Sequence, residues 1–313
     1  MSFPARSAIV ATARESIARG SKSFSAASLL FAPATRERAW LLYAWCRACD
    51  DVADGQDHGH GMTIVTDAPE RLARITALTE AALAGQWVGD SAFDALRIFA
   101  AETTLPPLFA RHLIAGFALD AAEWRPKSED DLYRYCYHVA GVVGCMMAIA
   151  MGVSPNDEAT LDRACDLGMA FQLANIARDV AEDDAAGRCY LPIDWLVEMD
   201  IPPGEHMKPF VRPRLAVLAR RLSERAAEFE VSARHGTPAL SFRSAWAVLA
   251  AAGIYGGIGR KVAAAGEHAW DRRISTSGFE KLRWIVRAGR EAFGRVRRYP
   301  LAPRPALWTR PRA

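Results

Sequence analysis

The stretch Gly168-Met-Ala-Phe-Gln172-Leu-Ala-Asn175-Ile-Ala-Arg178-Asp179-Val-Ala-Glu-Asp183 decides the fold. Gln172, Asn175, Asp179 and Asp183 recur at steps of three or four, which puts them on one face of an α-helix. Most of the rest is apolar: Leu167, Phe171, Leu173, Ile176 and Val180. A helix that is apolar nearly all round is buried. A carboxylate on such a helix must be paired or must hold a metal, because an isolated buried charge is too costly. A second stretch carries the same theme. Tyr43, Arg47, Asp50, Asp51 and Asp54 lie on a helix bearing Leu41, Leu42, Trp45 and Val52. Two such stripes point to an internal, cation-binding cavity.

Helical spacing extends outward from these two stretches over nearly the whole chain, and strand signals are weak. The periodicity predicts helices near 5–19, 35–54, 69–84, 90–102, 107–124, 129–151, 157–184, 213–233, 238–265 and 275–296. Pro106–Pro107, Pro155, Pro192, Pro202–Pro203, Pro213 and Pro238 sit at or between the boundaries, and 55–67 is polar and rich in His and Gly. Ser128-x-x-Asp131 resembles a capping box with Asp in place of Glu. No stretch reads as a flexible linker. The expected architecture is all-α: one helical domain over 1–297 around a central cavity, followed by a Pro/Arg-rich tail, 298–313, that is extended or loosely packed.

Composition excludes several classes. With 313 residues, 51% apolar, 24% charged and a formal net charge of +3, the chain is an ordinary globular one. Its basic residues are dispersed, so nucleic acid is not an expected partner. The longest apolar run, Val139–Val153, is short for a membrane span and reads as a buried helix. The first twenty residues carry Arg6, Arg14 and Arg19 among their apolar positions and show no secretory signal. The six cysteines fall mostly among apolar neighbours, and Cys46-x-x-Cys49 has no second pair at zinc spacing. A cytoplasmic protein is the expectation.

The stripes themselves suggest a chemistry. Asp50 and Asp54 are separated by roughly 6 Å along a helix axis, and Asn175, Asp179 and Asp183 form a ladder of roughly 12 Å. Oxygen donors of this kind favour magnesium or manganese over zinc. Magnesium keeps waters and shares its shell with phosphates, so two facing ladders would clamp a diphosphate. Lys22, Arg47, Arg178 and Arg188 are the cations placed to meet phosphate oxygens. The bland alternative for a single DDxxD is a solvated helix face. Two stripes, each with an arginine in or beside it, favour the metal–diphosphate reading. Tyr137, Gly141, Gly144 and Ala148 share a face of a third helix. Small residues there either leave room for a ligand or let another helix pack closely, and packing is the commoner reason.

Tyr43-Ala-Trp-Cys-Arg47-Ala-Cys-Asp50-Asp51-Val-Ala-Asp54 resembles the first aspartate-rich motif of the squalene and phytoene synthases. Tyr135-Cys-Tyr137-His-Val-Ala-Gly-Val-Val-Gly144 is similar to their central motif. The stretch from Gly168 to Asp183, with Gly187-Arg188-Cys-Tyr190-Leu-Pro192, resembles the second aspartate-rich motif and its loop. Ser21-Lys22-Ser23-Phe24 resembles the N-terminal diphosphate-contacting segment. The resemblance implies an isoprenoid synthase fold of the class I trans-prenyltransferase type. It is nearest to the bacterial phytoene synthases. It implies head-to-head joining of two geranylgeranyl diphosphates through prephytoene diphosphate to phytoene, an early step of carotenoid biosynthesis.

It also implies roles. Asp50, Asp51, Asp54, Asn175, Asp179 and Asp183 would hold Mg2+ or Mn2+. Ser21, Lys22, Ser23, Tyr43, Arg47, Tyr137, Arg178, Arg188, Tyr190, Tyr255 and Arg273 would contact substrate or diphosphate. Gln172 would orient a diphosphate or stabilise a cation. No NADPH is expected. Where squalene synthases have a tyrosine before Val-Ala-Gly, this chain has His138. Greasy substrate and product fit peripheral attachment to the inner face of a membrane, helped by the basic tail, and leave room for contact with other carotenoid-pathway enzymes. The alternatives are a squalene-, hydroxysqualene- or dehydrosqualene-type enzyme acting on farnesyl diphosphate, and a non-catalytic helical scaffold of the same fold.

Overall fold

The computed structural model describes residues 4–54 and 67–312, with the side chains of Lys22, Ser23 and Asp54 outside that description. The described residues are helical with no strand. The helices are α1 (Arg6–Gly20), α2 (Lys22–Ser28), α3 (Pro33–Asp54), α4 (Ala68–Leu83), α5 (Ser91–Thr103), α6 (Pro107–Ala121), α7 (Glu129–Cys136), α8 (Val142–Ala150), α9 (Glu158–Ala185), α10 (Ile193–Glu198), α11 (Arg212–Arg234), α12 (Phe242–Ala265), α13 (Gly278–Phe293) and α14 (Arg295–Arg298). The expected 129–151 helix is divided. A π-helical turn, Tyr137–Gly141, separates α7 from α8. The capping box at Ser128 and Asp131 is formed, with Ser128 Oγ accepting from the Asp131 amide and Asp131 Oδ2 accepting from the Ser128 amide. Among the described residues no helix is long and apolar enough to cross a membrane.

The chain divides into two compact units. The first comprises residues up to Ala122 together with Cys145–Leu161. In it α3 packs on α1, α4, α5 and α6. Leu41, Leu42, Trp45, Ile17, Ile75, Leu96 and Phe99 make its core. Trp45 is fully enclosed and its indole donates to Thr79 Oγ1 at 3.2 Å, so the one polar atom of that ring is satisfied where water cannot reach it. The far side of α3 is thereby anchored, and the Tyr43–Asp54 face is set by the helix period.

The second unit comprises Glu123–Gly144 and Asp162–Arg312. Here α12 packs on α11 and α13, and the Trp284 ring occupies the space left by Gly253. The π turn lies backbone to backbone against α9. A Cβ on Gly168 would overlap the Ala140 carbonyl, and one on Gly144 would overlap the Ala164 carbonyl. The stripe of small residues in the third helix therefore serves close packing.

Residues 299–312 form no helix or strand, and they are firmly held. Arg304 Nε and Nη2 donate to the fully buried Asp166 at 3.0 and 2.5 Å, and Ser232 Oγ donates to the same carboxylate. Arg163 donates to Ser232 Oγ at 2.7 Å and to the Ala302 carbonyl at 2.7 Å. Arg310 and Arg312 both donate to Asp162. Burial lifts the Asp166 carboxyl above the usual carboxylate range, and Arg304 and Ser232 oppose that rise.

Two outcomes are expected from urea unfolding. Gly168→Ala should lose about 1–3 kcal/mol through overpacking despite alanine's better helix propensity, whereas Gly257→Ala, whose Cβ would meet only Trp284 Nε1 at 3.6 Å, should be neutral or gain up to about 1 kcal/mol. Arg304→Ala strands a buried carboxylate and should lose about 3–5 kcal/mol near neutral pH. That deficit should shrink on acidification, because protonating Asp166 removes the charge that lacks a partner.

Candidate functional site

In the first unit the stripe begins at Tyr43. The α1–α2 junction lies against it: Gly20 has no Cβ where the Tyr43 hydroxyl sits, and the Phe24 ring is 5.7 Å from the Tyr43 ring. Ser21 Oγ accepts from the Phe24 amide at 3.3 Å and so caps α2. Tyr43 Oη is buried beside Arg47, and burial pushes the hydroxyl above its ordinary range while Arg47 opposes the rise. The Arg47 guanidinium lies 6.0 Å from the centre of that ring. It also donates to Asp50 Oδ2 at 2.5 Å and lies 3.6 Å from Asp51 Oδ1. Burial works against the charge on Arg47, but Asp50 and Tyr43 hold the guanidinium above its usual value. Lys22, Ser23 and Asp54, also expected here, have side chains outside the described residues.

Burial pushes Cys46 up to about 12 and Cys49 well above its ordinary value, so neither is a thiolate at neutral pH.

In the second unit α9 carries Gln172, Asn175, Asp179 and Asp183 on one face. Arg178 Nε donates to Asp179 Oδ1 at 2.7 Å, and its Nη2 donates to Oδ2. Arg273, on the segment before α13, reaches the same carboxylate at 2.9 Å and Glu182 Oε1 at 2.9 Å. Burial opposes the charge on Arg178, and Asp179 more than compensates. Tyr255 of α12 stacks on Phe171 at 4.3 Å, and burial raises its hydroxyl while nearby Arg178 opposes the rise. The Trp270 indole donates to the Ala177 carbonyl at 3.2 Å and ties the 266–273 segment to α9. Gly187, with φ +74°, closes the helix end and sends the Arg188 amide to the Asp183 carbonyl at 2.8 Å.

The structure therefore brings Arg178, Asp179, Arg273 and Tyr255 together, although Tyr255 and Arg273 lie far along the chain from the motif. Glu182 joins them. It was quoted within the motif but not singled out, and its place three residues after Asp179 was the available signal. Two other candidates sit in packing. Tyr137 is fully enclosed, with the Trp308 ring 5.7 Å away, and Tyr190 stacks on Tyr135 at 4.7 Å. The Tyr137 turn meets α9 at Ala164–Gly168, whose end is seven residues, or roughly 10 Å of helix, before Asn175.

The donor set suits a hard divalent ion. Asn175 Oδ1 is buried and has no hydrogen-bond partner among the described residues, an acceptor left open beside two carboxylates of the same face. Among the described residues no group of three His, Cys, Asp or Glu side chains converges on one point. An ion held here would draw the rest of its shell from water or phosphate, as magnesium does.

An all-α fold with two aspartate-rich helical faces, each with an arginine on its carboxylates, defines the isoprenoid synthase class. Residues 17–280 match the squalene/phytoene synthase family model. The chain belongs to that family. It is 46% identical over 302 residues to a phytoene synthase from Pseudescherichia vulneris, covering 96% of this chain and 97% of that one. It is 49% identical to a 15-cis-phytoene synthase from Enterobacter agglomerans, covering 93% and 99%. Among solved structures, a dehydrosqualene synthase in complex with ligand has the same fold, with a TM-score of 0.81 at 23% identity over 92% of this chain and 98% of the other.

Asn175→Ala separates function from stability. Removing an unsatisfied buried acceptor should leave the unfolding midpoint of the metal-free protein unchanged or higher, while magnesium-supported turnover falls by about tenfold or more.

Proposed function

We propose that this protein is a phytoene synthase that joins two geranylgeranyl diphosphates head to head, through prephytoene diphosphate, to phytoene with release of two diphosphates. The observation that carries this reading is near end-to-end identity of 46–49% with bacterial proteins named phytoene synthase, together with retention of every expected acidic position. A scaffold descended from the fold would have no reason to keep the carboxylates.

Asp50, Asp51, Asp54, Asn175, Asp179 and Asp183 would hold magnesium or manganese. When bound, the ion supplies Lewis acidity toward the departing diphosphate. The chain's own contribution is electrostatic. Arg47, Arg178 and Arg273 neutralise the carboxylates of the free protein. With those carboxylates engaged by the ion, the three guanidinium groups would be free to bind and neutralise diphosphate oxygens. Ser21, Lys22, Ser23 and Arg188 belong to segments that resemble diphosphate contacts. Gln172 offers an amide dipole on the same face of α9. Apolar surroundings would keep water from an allylic cation. No hydride donor is needed for this product. The enzyme would act in the cytoplasm, at or near a membrane, where its apolar substrate and product partition.

Incubation with geranylgeranyl and farnesyl diphosphates separately, with magnesium and without NADPH, should give phytoene from the first only. Chelation should abolish turnover, and magnesium or manganese should restore it. Asp50→Asn and Asp179→Asn should each reduce turnover at saturating magnesium by at least about 100-fold. Wild-type turnover in both variants would overturn the site, and products from farnesyl diphosphate alone would replace the substrate.

A further inference from the structure

Among the described residues the outer face of α13 has no partner. Phe279, Leu282, Val286 and Phe293 are spaced by three, four and seven residues, so they form one stripe. All four are exposed, Phe279 at 76% and Phe293 at 87%. The opposite face is committed to packing: Trp284 fills the space beside Gly253, and Ala288 and Ala292 are buried. Val296 and Leu301 extend the exposed apolar surface beyond the helix. Single exposed apolar residues are ordinary on a protein surface, but a continuous stripe on a helix is not.

The charges along this stripe have one sign. Arg283, Arg287 and Arg290 follow its edge at successive turns, and Arg297 and Arg298 are exposed just beyond it. Both acids of α13 are ion-paired, Glu291 in part to Arg287 of this same edge, which leaves Arg283 and Arg290 as its uncompensated charges on the helix among the described residues. Glu280 holds Lys261 at 2.7 Å, and Glu291 is buried between Arg234 and Arg287. A basic-edged apolar face repels a second copy of itself, which disfavours a symmetric dimer through it. It complements a bilayer containing anionic phospholipid, where aromatic and aliphatic side chains enter the acyl boundary and arginines meet headgroup phosphates.

We propose that α13, with the Arg295–Leu301 segment, is a membrane-docking element that lays the protein on an anionic lipid surface. The C-terminal tail is excluded from this role, because Arg304, Arg310 and Arg312 are spent on Asp166 and Asp162. The choice of lipid over a protein partner rests in part on the proposed prenyl substrates. The exposed stripe and its basic edge do not depend on that reading.

Flotation of the full-length protein with phosphatidylcholine vesicles, with and without roughly one third phosphatidylglycerol, tests this. Binding should require the anionic lipid and weaken with salt. Phe279→Ser with Phe293→Ser, and separately Arg283→Glu with Arg290→Glu, should each lower partitioning by about tenfold or more. Phytoene formation from detergent-dispersed substrate should be unchanged in both variants, so a failure of docking and a failure of the catalytic reading give different results. Wild-type protein that floats equally with neutral vesicles or not at all would overturn the proposal. So would variants that float like wild type, or a stable dimer by light scattering that the Phe279→Ser, Phe293→Ser variant dissociates.

Discussion

The cost of a carboxylate on a helix that is otherwise buried governs this molecule. Asp166 and Asp179 each have an arginine beside them, and the kind of pairing separates framework from chemistry. Asp166 is wholly enclosed and held by Arg304 and Ser232, with Arg163 behind them. The pair is thus shielded from solvent on the carboxylate side. Asp179 has the same kind of partner but a different setting. Its side chain is 18% exposed, and one of its arginines, Arg273, is 54% exposed on a segment between helices. That pairing is open to solvent on the arginine side. An accessible ion pair of this kind fits the metal-dependent reaction proposed above, whereas the enclosed Asp166 pair does not.

Close backbone packing supplies rigidity. The π turn at Tyr137–Gly141 and the α9 segment at Ala164–Gly168 touch through glycines, at a distance any larger residue would prevent. This fixes one half of α9 as framework, and the same helix carries its polar face on the other half. π turns often occur at functional sites. Here the turn places Tyr137 in the interior, where its ring packs with His138 and Trp308.

Much of this was legible before any coordinates. The helical periodicity placed the long helices to within a few residues, because each has an inward apolar face and ends at proline, glycine or a capping serine. The short helices α2 and α10 were not visible, since seven and six residues carry too few turns to establish a period. The π turn was missed because its residues continue an apolar helical pattern and differ only in backbone pairing. The proline-rich tail forms no helix or strand. Its anchoring depends on buried Asp162 and Asp166, more than 130 residues away.

The sequence alone determined the all-α class, the two aspartate faces and the family, because helical period and residue type at three- and four-residue spacing are local properties that survive without coordinates. Only the tertiary structure decided which arginine neutralises which carboxylate, that Arg273 and Tyr255 join α9, that Asn175 keeps an open acceptor, and that α13 keeps an apolar face outward. Apart from the local Arg47–Asp50 and Arg178–Asp179 pairs, those are relations between segments distant in sequence, and burial, which sets the worth of every charge here, exists only once the chain has folded.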